Sequence, residues 1–302
     1  MRFSNPNMLV YIAMADAYAV AVEYNNALEE KCLEFKEYLA HPTHGLRAGC
    51  YSDDTEMSVA NTLALIQPNE SLNKLIFADA YITEFQRSGR RKGYSRGFQG
   101  VLERVRTGKE MLDLIDPTST KNGAAMRAVP IGALSNIGKV SEVASLQASI
   151  THDTPEGRFS ARAVALMSHL TLYDSVSFSG LGEECQRYLL EEDRKYFGHV
   201  FTQPWSGGPV KASPGTSVAI ATVQAVVTVL AQEKSLTDIL RQIIKWGGDT
   251  DSVAAIAWGI ASARYQHEKL PLFMERDLEG GNNHTGAVRL RKLSELLMYK
   301  YQ

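Results

Sequence analysis

The chain has 302 residues, of which 44% are apolar and 22% are charged, which is the balance of an ordinary globular protein. Its 32 basic and 34 acidic residues give a net charge of −2 without a long run of either sign, which argues against a nucleic-acid or membrane surface. Three scattered cysteines, Cys32, Cys50 and Cys185, form no Cys-x-x-Cys pair. They predict neither a disulfide framework nor a zinc site, so we expect a reducing, cytoplasmic location.

The first apolar stretch, residues 8–22, resembles the core of a signal peptide. Asp16 interrupts this stretch, Glu23 follows it, and Arg2 is the only basic residue before it. We therefore reject both a signal peptide and a membrane span. The charged segment 183–195 is interpreted as the solvated face of a helix.

Apolar residues recur with the period of a helix in segments 159–170, 236–246 and 253–261, whereas clear strand alternation is absent. Segment 218–230 is ambiguous, because its many β-branched residues also suit a strand, but its alanines and its length favour a buried helix. None of the breaks between these elements is a long linker, and we find no internal repeat. We therefore predict one all-α domain over residues 1–302.

Two short acidic segments each come directly before an apolar helix. They are Tyr51-Ser52-Asp53-Asp54-Thr55-Glu56-Met57 and Gly247-Gly248-Asp249-Thr250-Asp251-Ser252. Either segment alone is explained by helix capping, because Ser, Thr and Asp side chains accept hydrogen bonds from the first N–H groups of a helix. A cap needs one acceptor, however, and together the two segments supply four aspartates and several hydroxyls.

Oxygen ligands of this kind suit a hard divalent cation. Asp249 and Asp251 can converge where a turn opens into a helix, and the two preceding glycines permit close approach of the backbone. Asp53 and Asp54 diverge on a regular helix but reach different metals from a bent loop. Neither segment contains His or Cys, which argues against zinc.

These segments resemble the motifs of the ADP-ribosylglycohydrolases, a family that includes dinitrogenase reductase-activating and ADP-ribosylarginine hydrolases. The matching motifs appear in the family's order and span residues 16 to about 265. They are Asp16 with Glu23 seven residues later, Ser52-Asp53-Asp54-Thr55, Asn122-Gly123-Ala124-Ala125-Met126-Arg127 followed by Pro130-Ile131-Gly132, Thr151-His152, and Gly247 to Ser252 with the Ala-rich segment after it.

The sequence departs from the family pattern at a few positions. Ala15 and Ala19 replace two glycines of the first motif, so the shape of the pocket near Glu23 is open to question. Ser52 and Ser252 replace threonines and keep the hydroxyl group. None of the departures removes a carboxylate.

The resemblance implies a compact, single-domain orthogonal helix bundle with a binuclear magnesium or manganese centre. The implied metal ligands are Ser52, Asp53, Asp54, Asp249, Asp251 and Ser252. Asp54 and Glu23 are the candidate catalytic carboxylates, without a choice between them as acid or base. The implied substrate-binding residues are Asn122, Gly123, Ala124, Ala125 and Met126, which use backbone N–H groups, together with His152. Arg127 is interpreted as a structural salt-bridge partner.

The reaction implied is hydrolysis of the glycosidic bond between ADP-ribose and an acceptor, either a protein side chain or a small molecule. Two alternatives stay open. One is a non-catalytic ADP-ribose-binding or structural protein on the same scaffold, which the intact acidic set disfavours. The other is a hydrolase of another ribosyl compound, which the sequence does not distinguish from the first reading.

Overall fold

The computed structural model describes residues 3–68 and 71–302. Over these residues the chain is built from α-helices and 3-10 helices and contains no β-sheet, which confirms the predicted all-α class. The α-helices are α1 (Met8–Ala19), α2 (Glu29–Cys32), α3 (Asp53–Ile66), α4 (Lys74–Arg87), α5 (Arg96–Arg104), α6 (Gly108–Leu114), α7 (Gly123–Met126), α8 (Ile137–Ala148), α9 (Pro155–Tyr173), α10 (Phe178–Tyr188), α11 (Glu191–Phe197), α12 (Val218–Gln232), α13 (Leu236–Trp246), α14 (Thr250–Tyr265), α15 (Leu272–Arg276) and α16 (Ala287–Tyr301). The 3-10 helices are Val20–Val22, Asn26–Leu28, Val129–Ala133, Gly198–Phe201 and Leu278–Gly281.

Helices α1 and α14 pack against each other in the interior. Every residue of α1 is buried, as expected for a helix that is apolar on all sides. The two helices are antiparallel, because Thr250 Oγ1 donates to Ala19 O at one end (2.8 Å) and Asn5 Nδ2 donates to Ser262 Oγ at the other (2.8 Å). The end of α1 and the start of α14 therefore lie at the same end of the molecule.

Small side chains allow this helix pair to approach closely. A Cβ atom at Gly259 of α14 would lie 2.7 Å from Ile12 Cγ1 of α1, a distance that real Cβ atoms do not adopt. Both helices are also rich in alanine, whose small side chains occupy little space between the two backbones. Tight packing of this kind fixes the two helix ends relative to each other.

The helices predicted from periodicity are present. Segments 159–170, 236–246 and 253–261 lie in α9, α13 and α14. Segment 218–230 is also helical, and the Ser217 side chain caps α12 by accepting from Ile220 N. Among the described residues, no helix is both long and apolar enough to span a membrane.

The charged segment 183–195 is only partly the solvated face that we expected. It is divided between α10 and α11, and most of its charged side chains are exposed. Asp193 is instead buried, and its carboxylate accepts from Arg162 Nη2 at 2.5 Å. One charge of the run therefore anchors α11 to α9, because a buried carboxylate requires a partner of opposite charge.

Candidate active site

The turn before α14 is built around two glycines. Gly247 (φ 71°) and Gly248 (φ 81°) both adopt the left-handed conformation that other residues avoid. Val210 pairs with this turn through Val210 N to Gly247 O and Asp249 N to Val210 O, both at 2.9 Å. A Cβ atom at Gly248 would lie 2.3 Å from Val210 O, so only glycine fits there. These contacts fix the direction in which Asp249 leaves the turn.

Asp16 of α1 holds the second acidic segment in place. Its carboxylate accepts from the N–H groups of Ser52 and Thr55 at 3.0 and 3.1 Å and from Thr55 Oγ1 at 2.6 Å. Burial raises the pKa of Asp16 to about 6, and these hydrogen bonds oppose that shift. The side chain is fully buried and does not line the pocket described below. Asp16 therefore positions the start of α3.

Glu23 follows α1 and is held through its backbone and its carboxylate. The next residue, Tyr24, has φ 49°, and its N–H donates to Gly248 O at 2.8 Å. His41 Nε2 is 2.9 Å from Glu23 O, and His44 Nδ1 lies 3.1 Å from Glu23 Oε2. The rings of His41 and His44 stack with centroids 3.6 Å apart. Two stacked imidazoles thus restrain one acidic residue.

Three carboxylates, one from the segment after α1 and two from the turn before α14, meet in one cluster. Oxygen atoms of Glu23, Asp249 and Asp251 all lie within 4.8 Å of one another, which is a spacing that allows a shared metal ion. Burial and the charge of Glu23 raise the pKa of Asp249 to about 6. Burial, followed by the charges of Asp16 and Glu23, raises the pKa of Asp53 to about 8. Like charges are therefore crowded together in a partly buried site.

The Asp54 side chain is buried, but one of its two carboxylate oxygens has no hydrogen-bond partner. Its Oδ2 atom accepts from Ser52 Oγ at 3.1 Å, but its Oδ1 atom is buried without a hydrogen-bond partner. Burial, followed by the charges of Asp16 and Asp53, raises the pKa of Asp54 well above its usual value. A buried carboxylate oxygen without a donor is costly, and a cation would satisfy it. The donor set is entirely oxygen, so the residues present fit Mg²⁺ or Mn²⁺.

Most of the predicted site residues line one pocket of about 810 Å³. The predicted residues in its wall are Glu23, Ser52, Asp53, Asp54, Asn122, Gly123, Met126, His152, Asp249, Asp251 and Ser252. The volume is within the range of small-molecule sites, roughly 300–1,000 Å³. Two distant acidic segments and the central Asn-Gly motif therefore share one cavity.

Ala124 and Ala125 are placed differently from the other predicted binding residues. Both are fully buried and lie outside the pocket wall. The N–H groups of Ala125 and Met126 donate to Asn122 O at 2.8 and 3.0 Å, so they are engaged within the turn itself. These two backbone N–H groups are therefore engaged within the turn and do not point into the pocket as donors to a ligand.

Arg127 is a structural residue, but it is not the salt-bridge partner that we expected. Its guanidinium is buried, and its recorded partners are uncharged: Gln147, Thr151 Oγ1 and the ring of Tyr81. Amide and hydroxyl oxygens accept its N–H groups in place of a carboxylate. The hydrogen bond from Arg127 to Thr151 joins the Asn-Gly motif to the Thr-His pair.

Sequence reasoning missed Tyr24, His44 and Val210. Tyr24 OH donates to Asp249 Oδ2 at 3.1 Å, and His44 contacts Glu23. The position of Tyr24 next to Glu23 is a signal that could have directed attention to it. Val210 and His44 lie in loops without a motif, and only the folded chain brings them to the site.

The sequence is similar to several known proteins. The sequence model described as "ADP-ribosylglycohydrolase" matches residues 8–300. The chain is 26% identical over 275 residues to ADP-ribosylhydrolase ARH3 of Bos taurus, covering 76% of this chain and 74% of that protein. It is 26% identical over 278 residues to ADP-ribosylhydrolase ARH3 of Homo sapiens, covering 76% and 75%.

An archaeal relative and a solved structure extend these matches. An uncharacterized protein of Archaeoglobus fulgidus is 25% identical over 270 residues, covering 85% of this chain and 86% of its own. A solved structure titled "ADP-ribosylglycohydrolase-related protein complex" superposes with a TM-score of 0.70 at 20% identity, covering 98% of this chain and 97% of that one. The structural match shows a shared fold along the chain.

Proposed function

This chain belongs to the ADP-ribosylglycohydrolase family, and we propose that it is a hydrolase dependent on Mg²⁺ or Mn²⁺ that cleaves the glycosidic bond between ADP-ribose and an acceptor. The observation that carries the proposal is the acidic cluster in the pocket, where Glu23, Asp249 and Asp251 converge and an oxygen of Asp54 is buried without a partner. The named relatives are ADP-ribosylhydrolases, which supports the substrate class.

Ser52, Asp53, Asp54, Asp249, Asp251 and Ser252 are the proposed ligands of two divalent cations. Such cations, once bound, supply charge that orients ribose hydroxyls and makes a water molecule more acidic. The crowding of carboxylates supports this assignment, because mutual repulsion without a cation destabilises the folded state. Fixed ligands also help, and the hydrogen bonds of Asp16 and Val210 hold the two acidic segments rigidly.

Glu23 and Asp54 are the proposed acid–base carboxylates. Both residues line the pocket; Glu23 is oriented by His44, and the Oδ1 atom of Asp54 has no hydrogen-bond partner. Asn122, Gly123, Met126 and His152 line the same pocket and are positioned to contact the rest of the ligand. The pocket therefore combines carboxylates with hydrogen-bonding groups from the Asn-Gly and Thr-His motifs.

A non-catalytic ADP-ribose-binding or structural protein is the second candidate, and the acidic cluster argues against it. Carboxylates with raised pKa values crowded into the pocket reduce the stability of the metal-free protein, and metal-dependent catalysis gives this arrangement a function. A hydrolase of another ribosyl compound remains compatible with the same geometry.

The deciding assay measures release of ADP-ribose from Arg-linked and Ser-linked substrates, with and without added Mg²⁺ or Mn²⁺. We expect release with at least one substrate, loss of release on chelation and recovery when metal is restored. Full activity in chelator contradicts metal dependence. Binding of ADP-ribose without release from either substrate or from a small-molecule conjugate favours the non-catalytic alternative.

A further inference from the structure

A chain of buried polar contacts runs from the core to the pocket and ends at His152. Arg127 Nη2 donates to Thr151 Oγ1 at 2.7 Å, and the same hydroxyl lies 2.7 Å from His152 Nδ1. On its other side, Arg127 Nε donates to Gln147 Oε1 at 2.6 Å. All four side chains are at least nine-tenths buried. These buried side chains therefore have few alternative hydrogen-bonding arrangements.

The direction of each hydrogen bond follows from the chemistry of the groups. A guanidinium can only donate, so Thr151 Oγ1 is the acceptor in its contact with Arg127. The hydroxyl still has one hydrogen to give, and among the described residues the recorded acceptor is His152 Nδ1. The opposite direction, with Nδ1–H donating, would leave the hydroxyl hydrogen without an acceptor among the described residues, which favours a neutral imidazole with its ring hydrogen on Nε2.

The Nε2 side of the ring faces the pocket beside Gly123. A Cβ atom at Gly123 would lie 3.1 Å from His152 Nε2 and 2.8 Å from Cε1, so a glycine at this position leaves room for the ring edge. Both residues line the cavity, and no hydrogen bond from Nε2 to a described residue is recorded. The free N–H is thus available to a ligand.

We propose that Arg127 and Thr151 are positioning residues that hold His152 as the neutral imidazole with its hydrogen on Nε2, and that this N–H donates to an anionic oxygen of the ligand. The ligand part of this inference rests on the proposed function, in which ADP-ribose supplies phosphate oxygens. The positive charges of Arg127 and Lys121 act on the same ring, which makes this side of the pocket favourable for an anion.

The electrostatics support a fixed protonation state. Burial, together with the charges of Arg127 and Lys121, lowers the pKa of His152 to about 3. The ring therefore stays neutral around neutral pH, and it serves as a hydrogen-bond donor. Acid–base chemistry is left to the carboxylates of the pocket.

The test compares the full-length parent with Thr151→Val, Thr151→Ser and the control Thr171→Val. Valine keeps the shape of threonine but removes the hydroxyl that orders the ring, whereas serine retains it. Thr171 is also fully buried, but its hydroxyl donates only to Met167 O of its own helix. The readouts are the ¹⁵N NMR shifts of the His152 ring, assigned by their loss in His152→Gln, and the Kd for ADP-ribose in the presence of Mg²⁺.

We expect the parent to show a non-protonated Nδ1 and a protonated Nε2 at neutral pH. Thr151→Val should lose this tautomer pattern and bind ADP-ribose about tenfold more weakly, since the fixed donor is lost, whereas Thr151→Ser and Thr171→Val should stay near the parent. A purely structural role would lower the melting temperature in both valine variants without changing the tautomer.

Two results overturn the inference: a parent ring with its hydrogen on Nδ1, or a folded Thr151→Val variant with the parent's Kd. The NMR measurement on the parent needs no variant, so the tautomer assignment stays testable even if Thr151→Val fails to fold. If the parent shows the expected tautomer but does not bind ADP-ribose, the proposed ligand is overturned and the positioning of the ring stands. Failure of the inference and failure of the proposed function are therefore distinguishable.

Discussion

Tyr24 links the segment that carries Glu23 to the turn that carries Asp249. Its N–H donates to Gly248 O, and its hydroxyl donates to Asp249 Oδ2. Burial, followed by the charge of Asp249, raises the pKa of Tyr24, so the hydroxyl remains protonated and acts as a donor. Tyr24 therefore orients the Asp249 carboxylate while its backbone fixes the segment that carries Glu23.

We predict that Tyr24→Phe weakens metal binding and turnover without unfolding the protein. Loss of one hydrogen bond to a carboxylate, about 1 kcal/mol or somewhat more, corresponds to an effect of roughly fivefold or more. Metal titration and ADP-ribose release measure it. Tyr18→Phe is the control for loss of a tyrosine hydroxyl that does not touch the carboxylates, because that hydroxyl donates to Cys32 O instead. Equal effects of the two substitutions would contradict a specific role for Tyr24.

At the scale of elements, the site lies where three helix ends meet. α1 leads into Glu23, α3 begins at Asp53 and α14 begins at Thr250. Periodicity predicted α13 with the observed bounds and placed segments of α9 and α14, because their apolar faces are long and regular, whereas α12 was predicted from its alanines and its length. It did not predict the loop around Val210, because pairing between distant backbone segments leaves no local pattern.

We predict that Gly248→Ala is much more harmful than Gly247→Ala. Both residues have positive φ, so each substitution adds strain of about 1–2 kcal/mol. A Cβ atom at Gly247 meets nothing within 4 Å, whereas one at Gly248 overlaps the backbone of Val210. Gly248→Ala should therefore lower the melting temperature further and reduce metal binding. Similar melting curves for the two variants would show that Val210 is not held against the turn.

At the scale of the whole molecule, the acidic cluster couples stability to pH and to cations. In the unfolded chain an aspartate has a pKa of about 3.9. In the folded, metal-free protein the pKa is raised to about 6 for Asp249 and Asp16 and to about 8 for Asp53. Between these values the folded state binds more protons than the unfolded state, so the free energy of unfolding contributed by these groups falls as pH rises.

We predict that Mg²⁺ or Mn²⁺ raises the melting temperature, and raises it more at pH 8 than at pH 6. Cations replace protons at the carboxylates, so they bind better where fewer protons compete, and binding to the folded state alone stabilises it. Thermal melts at several pH values, with chelator or with metal, measure this. An unchanged melting curve with both metals at pH 8 would indicate that the carboxylates do not form a cation site.

The resemblance of motifs predicted the all-α fold and pointed to residues that share one pocket, because the residues that bind ions and substrate occur in short, ordered motifs. It could not predict the supports of the site. The contacts of His44 with Glu23 and of Arg127 with Thr151 join segments that carry no common motif. Such contacts are set by the tertiary packing of helices and loops, and only the folded structure shows them.

The central claim is that Asp249 and Asp54, from opposite ends of the sequence, belong to one metal-dependent catalytic centre. The most direct measurement is ADP-ribose release and metal content for Asp249→Asn beside the parent. Asparagine keeps the shape of aspartate, and the Asp249 side chain makes no capping hydrogen bond to α14 that the substitution could remove, so the fold should survive. We predict reduced metal content and a rate lower by about two orders of magnitude or more, since positioning and metal activation both depend on this carboxylate. A folded Asp249→Asn variant with full metal content and near-parent turnover would contradict the account.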